Sequence, residues 1–182
     1  MKQQIILASS SIYRARLLHK LNIKFDSITA NIDESLKPNE KPGSLALRLA
    51  KEKAIAVQTN NATQLIISSD QVVAFNNHLL GKPGSYKETI QQLKLQSGQS
   101  VNFYTSICVL NALSGKYYTD LDLTTVHFKS LSDEQIVNYV KQEQAYNCAG
   151  GFKSEGLGIA LFEKIDTEDP NALVGLPLIK LL

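Results

Sequence analysis

The sequence has no tryptophan, a single methionine at position 1 and only two cysteines, Cys108 and Cys148. Neither cysteine lies in a C-x-x-C pair and no zinc-ligand spacing occurs, so a zinc module is excluded and a reducing compartment is expected. Cys108 sits in an apolar run and reads as a core residue. Cys148 precedes Ala149-Gly150-Gly151, and no histidine follows it to serve as a base, so a buried thiol is favoured over a nucleophile. No apolar run approaches the roughly 20 residues of a membrane span. The start, Met1-Lys2-Gln3-Gln4, leads into a short strand without a long apolar core or cleavage site, so a cytoplasmic protein is expected. Blocks of like charge are also missing. With 19 basic and 17 acidic residues the net charge is +2, which implies neither nucleic acid nor a membrane surface as partner. There is no G-x-x-x-x-G-K-S/T, no G-x-G-x-x-G, no G-x-S-x-G and no H-E-x-x-H. His19, His78 and His127 are spaced too irregularly for a metal cluster and read as structural.

What is present is a chain of 182 residues, 43% apolar, enough for one domain over 1–182 with a sizeable core and room for two lobes. Ile5-Ile6-Leu7-Ala8 followed by Ser9-Ser10-Ser11 and then Leu17, Leu18 and Leu21 reads as strand, hydroxyl-rich turn and helix. A helix N-terminus offers free N–H groups to anions, serines add donors, and Arg14 adds a guanidinium fork suited to phosphate. The same residues also suit an ordinary N-cap followed by a solvated arginine.

Phe25–Ile28 reads as a short strand, followed by a polar segment with Asp33-Glu34. Pro42 opens a helix that Asn60-Asn61 closes, with Leu45, Leu49, Ala56 and Val57 on one side and Arg48, Lys51, Glu52 and Lys53 mostly on others. Leu65-Ile66-Ile67 is a short buried strand with Ser68-Ser69-Asp70-Gln71 at its end. Val72–Phe75, Asn76-Asn77 and Leu79-Leu80 form a hairpin, and Gly81-Lys82-Pro83-Gly84 a turn. Ser85 with Glu88, and Ser132 with Gln135, are capping boxes opening two helices. Val101 to Val109 alternates as a long strand, Tyr117–Lys129 gives one or two more, and Ile159–Ile165 another. A glycine-rich segment spans 149–158, and Ala172 to Pro177 leads into a short closing helix. Helices and strands interleave around a hairpin-rich middle, which predicts an α/β or α+β fold with a mixed sheet.

Asp70 is the most suggestive acid: a carboxylate at a strand end with hydroxyl neighbours suits a general base, a metal ligand or a plain turn residue. Glu34 supplies a second carboxylate on another loop, and two such acids suit magnesium beside a triphosphate. Lys53 and Lys82 are the cations of interest, Lys82 because Gly81 and Pro83 hold it in a defined turn.

Together these pieces resemble the Maf family of nucleoside triphosphate pyrophosphatases. Its S-x-S-x-x-R signature matches Ser9, Ser11 and Arg14, and its acidic pair matches Asp33-Glu34. R-L-A-x-x-K-A matches Arg48 to Ala54, S-D-x-V-V matches Ser69 to Val73, and G-K-P matches Gly81 to Pro83. The late A-G-x-F/Y-x-x-Q/E-G matches Ala149 to Gly156, and V-G-L-P matches Val174 to Pro177. Seven motifs in order cover the whole chain. Tyr13, Gln71 and Glu155 match the branch directed at 7-methyl-GTP, called YceF in bacteria, where the branch directed at dTTP and UTP has arginine, threonine and glutamine. Ile12 departs from the proline the family usually has there.

The resemblance implies an α/β fold with an elongated mixed sheet, flanking helices and two lobes around a nucleotide-binding cleft, similar to the inosine triphosphate pyrophosphatases and often a homodimer. It implies hydrolysis of 7-methyl-GTP to 7-methyl-GMP and pyrophosphate in the clearance of modified nucleotides, with a divalent cation, Mg or Mn. Asp70 would be the catalytic base and Glu34 with Asp70 the metal carboxylates. Ser9, Ser11, Arg14, Lys53 and Lys82 would hold the triphosphate, and Tyr13, Gln71 and Glu155 would select the base. The rival readings are a dTTP/UTP pyrophosphatase of the same family and a nucleotide-binding regulator of septum formation in cell division.

Overall fold

The computed structural model describes residues 4–58, 63–76 and 78–182. The strands are β1 (Gln4–Leu7), β2 (Asp26–Ser27), β3 (Gln64–Phe75), β4 (His78–Leu80), β5 (Ser100–Asn111), β6 (Tyr117–Phe128) and β7 (Phe162–Asp166). They form one seven-stranded sheet in the order β2-β1-β3-β5-β6-β7, with β4 on β3. β1 pairs in parallel with β2 and β3, whereas β3–β4 and β6–β7 are antiparallel, so the sheet is mixed as the sequence predicts. The helices are α1 (Ile12–His19), α2 (Pro42–Ala56), α3 (Tyr86–Gln96), α4 (Asp133–Glu143) and α5 (Leu178–Leu181).

The chain divides into two compact units, the first comprising Met1–Gln71, Thr105–Asp122 and Asp169–Leu182, the second Val72–Tyr104 and Leu123–Glu168. In the first unit the two-residue alternation of the strands sorts side chains onto opposite sheet faces. Ile6, Ala8, Ile66, Cys108 and Leu110 pack with Ala50, Ala54 and Val57 of α2 and its C-cap. Leu7, Ile67 and Ile107 pack on the other face with Leu17 and Leu18 of α1 and with Leu176 and Leu178. The core of the second unit is aromatic: Phe103, Phe128, Phe152 and Phe162 meet edge to face with centroids 4.8–5.7 Å apart. Gly150, at φ 80°, lies so close to Phe103 and Phe152 that an added Cβ would stand 3.0 Å from each ring.

Three expectations change. β3 does not stop before Asp70 but runs on to Phe75, so Asp70 is a mid-strand residue. Residues 157–161 form a 3-10 turn, and the strand expected from Ile159 begins only at Phe162. Ser132 and Gln135 make a full capping box, whereas at Ser85 the glutamate accepts from the serine hydroxyl instead of from its backbone N–H. α2 ends at Ala56, and the Asn60-Asn61 stop signal and Asn77 of the hairpin turn lie outside the described residues.

Candidate active site

The site is assembled from residues 68–71 of β3, α2, the β1–α1 turn and the segment 172–175, all in the first unit. Four consecutive polar residues of β3 alternate between the two faces. Ser68 and Asp70 face α2, where the Ser68 hydroxyl donates to the Ala50 carbonyl at 2.6 Å and Asp70 Oδ1 accepts from Lys53 Nζ at 2.5 Å. Ser69 and Gln71 face the other way: the Ser69 hydroxyl donates to the Gly175 carbonyl at 2.7 Å, and Gln71 Nε2 donates to Thr105 Oγ1 and to the carbonyls of Ala172 and Leu173. Ser106 of β5 accepts the Asp70 N–H and donates to the Ala46 carbonyl. Ala46, Ala50 and Lys53 share one face of α2. Two hydroxyls thus fasten that face to the sheet and deliver Lys53 to Asp70.

Lys53 is buried and bridges two acids: its Nζ lies 2.7 Å from Glu34 Oε1 and 2.5 Å from Asp70 Oδ1. Asp70 is only 6% exposed. Burial pushes its carboxyl above the ordinary aspartate range, against the opposing pull of Lys53 and Arg14. A buried carboxyl so poised can accept a proton. Glu34 is exposed and sits on the loop between β2 and α2.

The β1–α1 turn is a helix start as expected. Ser11 is the N-cap of α1 and accepts the Arg14 N–H. Buried Ser9 accepts from the Ser11 N–H and from Arg14 Nη1, which leaves its own O–H to donate. Arg14 Nε donates to the Gly175 carbonyl at 2.8 Å, and Nη2 has no partner among the described residues. Burial lowers the Arg14 pKa, and the charges of Asp70 and Glu34 oppose that. Gly175 adopts φ 122°, and an added Cβ would stand 3.4 Å from Arg14 Nε. Tyr13 is half-buried in the first turn of α1.

Of the residues singled out in the sequence, Ser9, Ser11, Arg14, Tyr13, Glu34, Lys53, Asp70 and Gln71 belong to this unit. Lys82 and Glu155 belong to the second, Lys82 exposed in the Gly81–Gly84 turn and Glu155 exposed after Phe152. Gln71 and Asp70 are neighbours in sequence yet point to opposite sheet faces. Ser69, Ser106 and Gly175 were not assigned a role from sequence. Ser69 and Gly175 fall inside quoted motifs, which is the one signal that could have raised them.

Glu34 and Asp70 are hard oxygen donors converging on one cationic position, a donor set that fits magnesium or manganese beside phosphate oxygens. Among the described residues no group of three or more His, Cys, Asp and Glu could hold a metal ion unaided.

A mixed α/β sheet thus carries a serine-capped helix start, an arginine with a spare donor and a lysine-bridged acid pair, a set of donors whose chemistry suits an anion beside a buried carboxyl. The chain belongs to the Maf family, whose model for Maf-like protein matches residues 4–182. It is 51% identical over 181 residues to the 7-methyl-GTP pyrophosphatase of Pseudoalteromonas translucida, covering 100% of this chain and 90% of that one. It is 50% identical to the 7-methyl-GTP pyrophosphatase of Vibrio vulnificus, covering 98% and 92%. The solved structure of the Staphylococcus aureus Ham1 protein is similar over 86% of this chain and 90% of its own, at 12% identity and a TM-score of 0.49, a likeness too distant to carry an argument. Among the described residues no helix is long and apolar enough to cross a membrane.

Proposed function

We propose that this protein hydrolyses 7-methyl-GTP to 7-methyl-GMP and pyrophosphate, as a cytoplasmic enzyme clearing modified nucleotides, with residues 1–182 acting as one Maf-like domain. The observation that carries the reading is that five curated relatives, 46–51% identical over nearly the whole chain, bear the name 7-methyl-GTP pyrophosphatase.

Ser9 O–H, Arg14 Nη2 and Lys53 Nζ donate to phosphate oxygens, with the N-terminus of α1 adding its dipole. Asp70 takes a proton from water as that water's oxygen bonds to the α-phosphorus. The bond from the α-phosphorus to the bridging oxygen breaks, and pyrophosphate leaves with the electron pair. Glu34 and Asp70 would hold a divalent cation, Mg or Mn, which when bound offsets charge on the leaving pyrophosphate. Lys53 holds the two carboxylates apart from each other's charge until then.

For the base, N7-methylation gives guanine a positive charge, which favours stacking on an electron-rich ring such as Tyr13. Glu155 is proposed as the acceptor for the N1–H and N2–H donors and Lys82 as a further phosphate ligand, both from the resemblance. Gln71, with Nε2 already taken, offers a base only its carbonyl oxygen.

The test is pyrophosphate release from 7-methyl-GTP, GTP, dTTP and UTP with magnesium and with manganese. Preference for 7-methyl-GTP is expected. Preference for dTTP or UTP would move the protein to the pyrimidine branch, and no release from any would leave the nucleotide-binding regulator. Sedimentation velocity of the same sample checks for the homodimer.

A further inference from the structure

The loop that carries Glu34 has no regular structure of its own between β2 and α2. A loop of this kind wanders unless something ties it. Yet Glu34 is held on Lys53 at 2.7 Å. The tie is one residue further on. Arg48 Nη2 donates to the Ser35 carbonyl at 2.9 Å. The same guanidinium grips Glu40 at the far end of the loop, Nε to Oε1 at 2.7 Å and Nη2 to Oε2 at 2.9 Å. Its third nitrogen, Nη1, donates to Glu52 Oε2 at 2.9 Å, one turn along α2. Within the loop, Asp33 accepts from the Ser35 N–H and hydroxyl, and Glu40 Oε2 accepts the Lys37 N–H.

A planar fork that meets a carboxylate with two parallel N–H bonds fixes direction as well as distance, which a lysine cannot do. The Glu40 and Arg48 side chains are 10% and 15% exposed, far less than most surface ion pairs. Hydrogen bonding to Arg48 holds the Glu40 carboxyl down at about 2, and the same bond raises the Arg48 pKa. Arg48 and Lys53 are five positions apart on α2, which puts them on different sides of the helix. The loop is therefore held at Ser35 by one and at Glu34 by the other.

We propose that Arg48 is a positioning residue that clamps the 33–40 loop to α2 so that Glu34 stays opposite Asp70 across Lys53. This rests on the reading of Glu34 as a metal carboxylate. Arg48 itself touches no substrate.

The test compares Arg48→Lys, Glu40→Gln and Glu34→Gln with the unaltered protein. Backbone hydrogen exchange of residues 33–40 is followed without ligand. Mn2+ affinity is measured by electron paramagnetic resonance in the presence of an α,β-methylene analogue of 7-methyl-GTP. Arg48→Lys is expected to speed exchange in 33–40 and to weaken Mn2+ binding about 10-fold, the size seen when a ligand's supporting partner is lost. Glu40→Gln breaks the clamp from its other end without touching α2 and is expected to act in the same direction. Turnover at saturating metal should stay within about threefold. Faster exchange with unchanged Mn2+ affinity, while Glu34→Gln weakens it, overturns the clamp and leaves Glu34 in place. Unchanged Mn2+ affinity in Glu34→Gln overturns both the reading of Glu34 and the positioning role built on it. A lower melting temperature with neither change makes Arg48 a structural residue only.

Discussion

Asp70 faces two opposing demands, and their balance gives the sharpest predictions at the scale of single residues. Burial raises its pKa more than Lys53 and Arg14 lower it. The folded state therefore binds the Asp70 proton more tightly than the unfolded chain does. The stability this adds is full below the unfolded pKa and is lost as pH rises through the folded one. At neutral pH an ionised Asp70 is a net cost. Asp70→Asn should then melt no lower than the unaltered protein at pH 7.5, and its advantage should shrink toward pH 4, as read by thermal unfolding at both pH values. Turnover in the same variant should fall about 10²- to 10⁴-fold, the range of a general base, with nucleotide affinity kept. In the unaltered protein, kcat should drop on acidification with a midpoint above the ordinary aspartate range. Gly175 is the second informative residue. Its φ of 122° is open to glycine alone, and its carbonyl receives both Arg14 and Ser69. Gly175→Ala should lose about 1–3 kcal/mol in urea titration. Because the added methyl faces Arg14, KM should rise more than kcat falls.

At the scale of elements, α2 and β3 show how much of the site could be read in advance. The β1–α1 unit was legible because apolar strand, serines and helical spacing follow one another within a dozen residues. The mid-strand position of Asp70 was not. Ser68-Ser69-Asp70 breaks the apolar run that marks a strand. The groups that satisfy those polar residues, the Ala50 carbonyl, Lys53, Ser106 and the Gly175 carbonyl, lie 17 to 106 residues away. Periodicity within a window cannot show them. The spacing puts Arg48 off the apolar side of α2 and assigns it nothing further, for the same reason: its partner Glu40 precedes the helix, and nothing in the spacing says that the loop folds back. The α2 clasp predicts that Ser106→Ala and Ser68→Ala each cost about 1–3 kcal/mol by chemical denaturation, since each strips a partner from buried polar groups. Ser106→Ala should also lower kcat, because it frees the Asp70 N–H, whereas Ser68→Ala should leave kcat closer to that of the unaltered protein.

At the scale of the whole molecule, β3, β5 and β6 each contribute residues to both compact units. A strand cannot keep half its ladder for long when the other half dissolves. Thermal unfolding should accordingly be one transition, with calorimetric and van't Hoff enthalpies in agreement. Two resolved transitions would show that the units melt independently. The mixed topology itself was legible, because interleaved helices and strands with a central hairpin leave few alternatives. The division of the chain was not, since the boundaries cut through strands where composition does not change.

The lysine bridge between Glu34 and Asp70 has a consequence in terms of charge. With Asp70 ionised, two carboxylates face two cations, Lys53 and Arg14, and the cluster is neutral. A triphosphate meets no standing surplus of positive charge there, so it must arrive with countercharge of its own. Free nucleotide should therefore bind this protein far more weakly than its magnesium complex. The affinity of that complex should vary little with ionic strength between 50 mM and 200 mM salt, unlike that of a site built on excess basic residues.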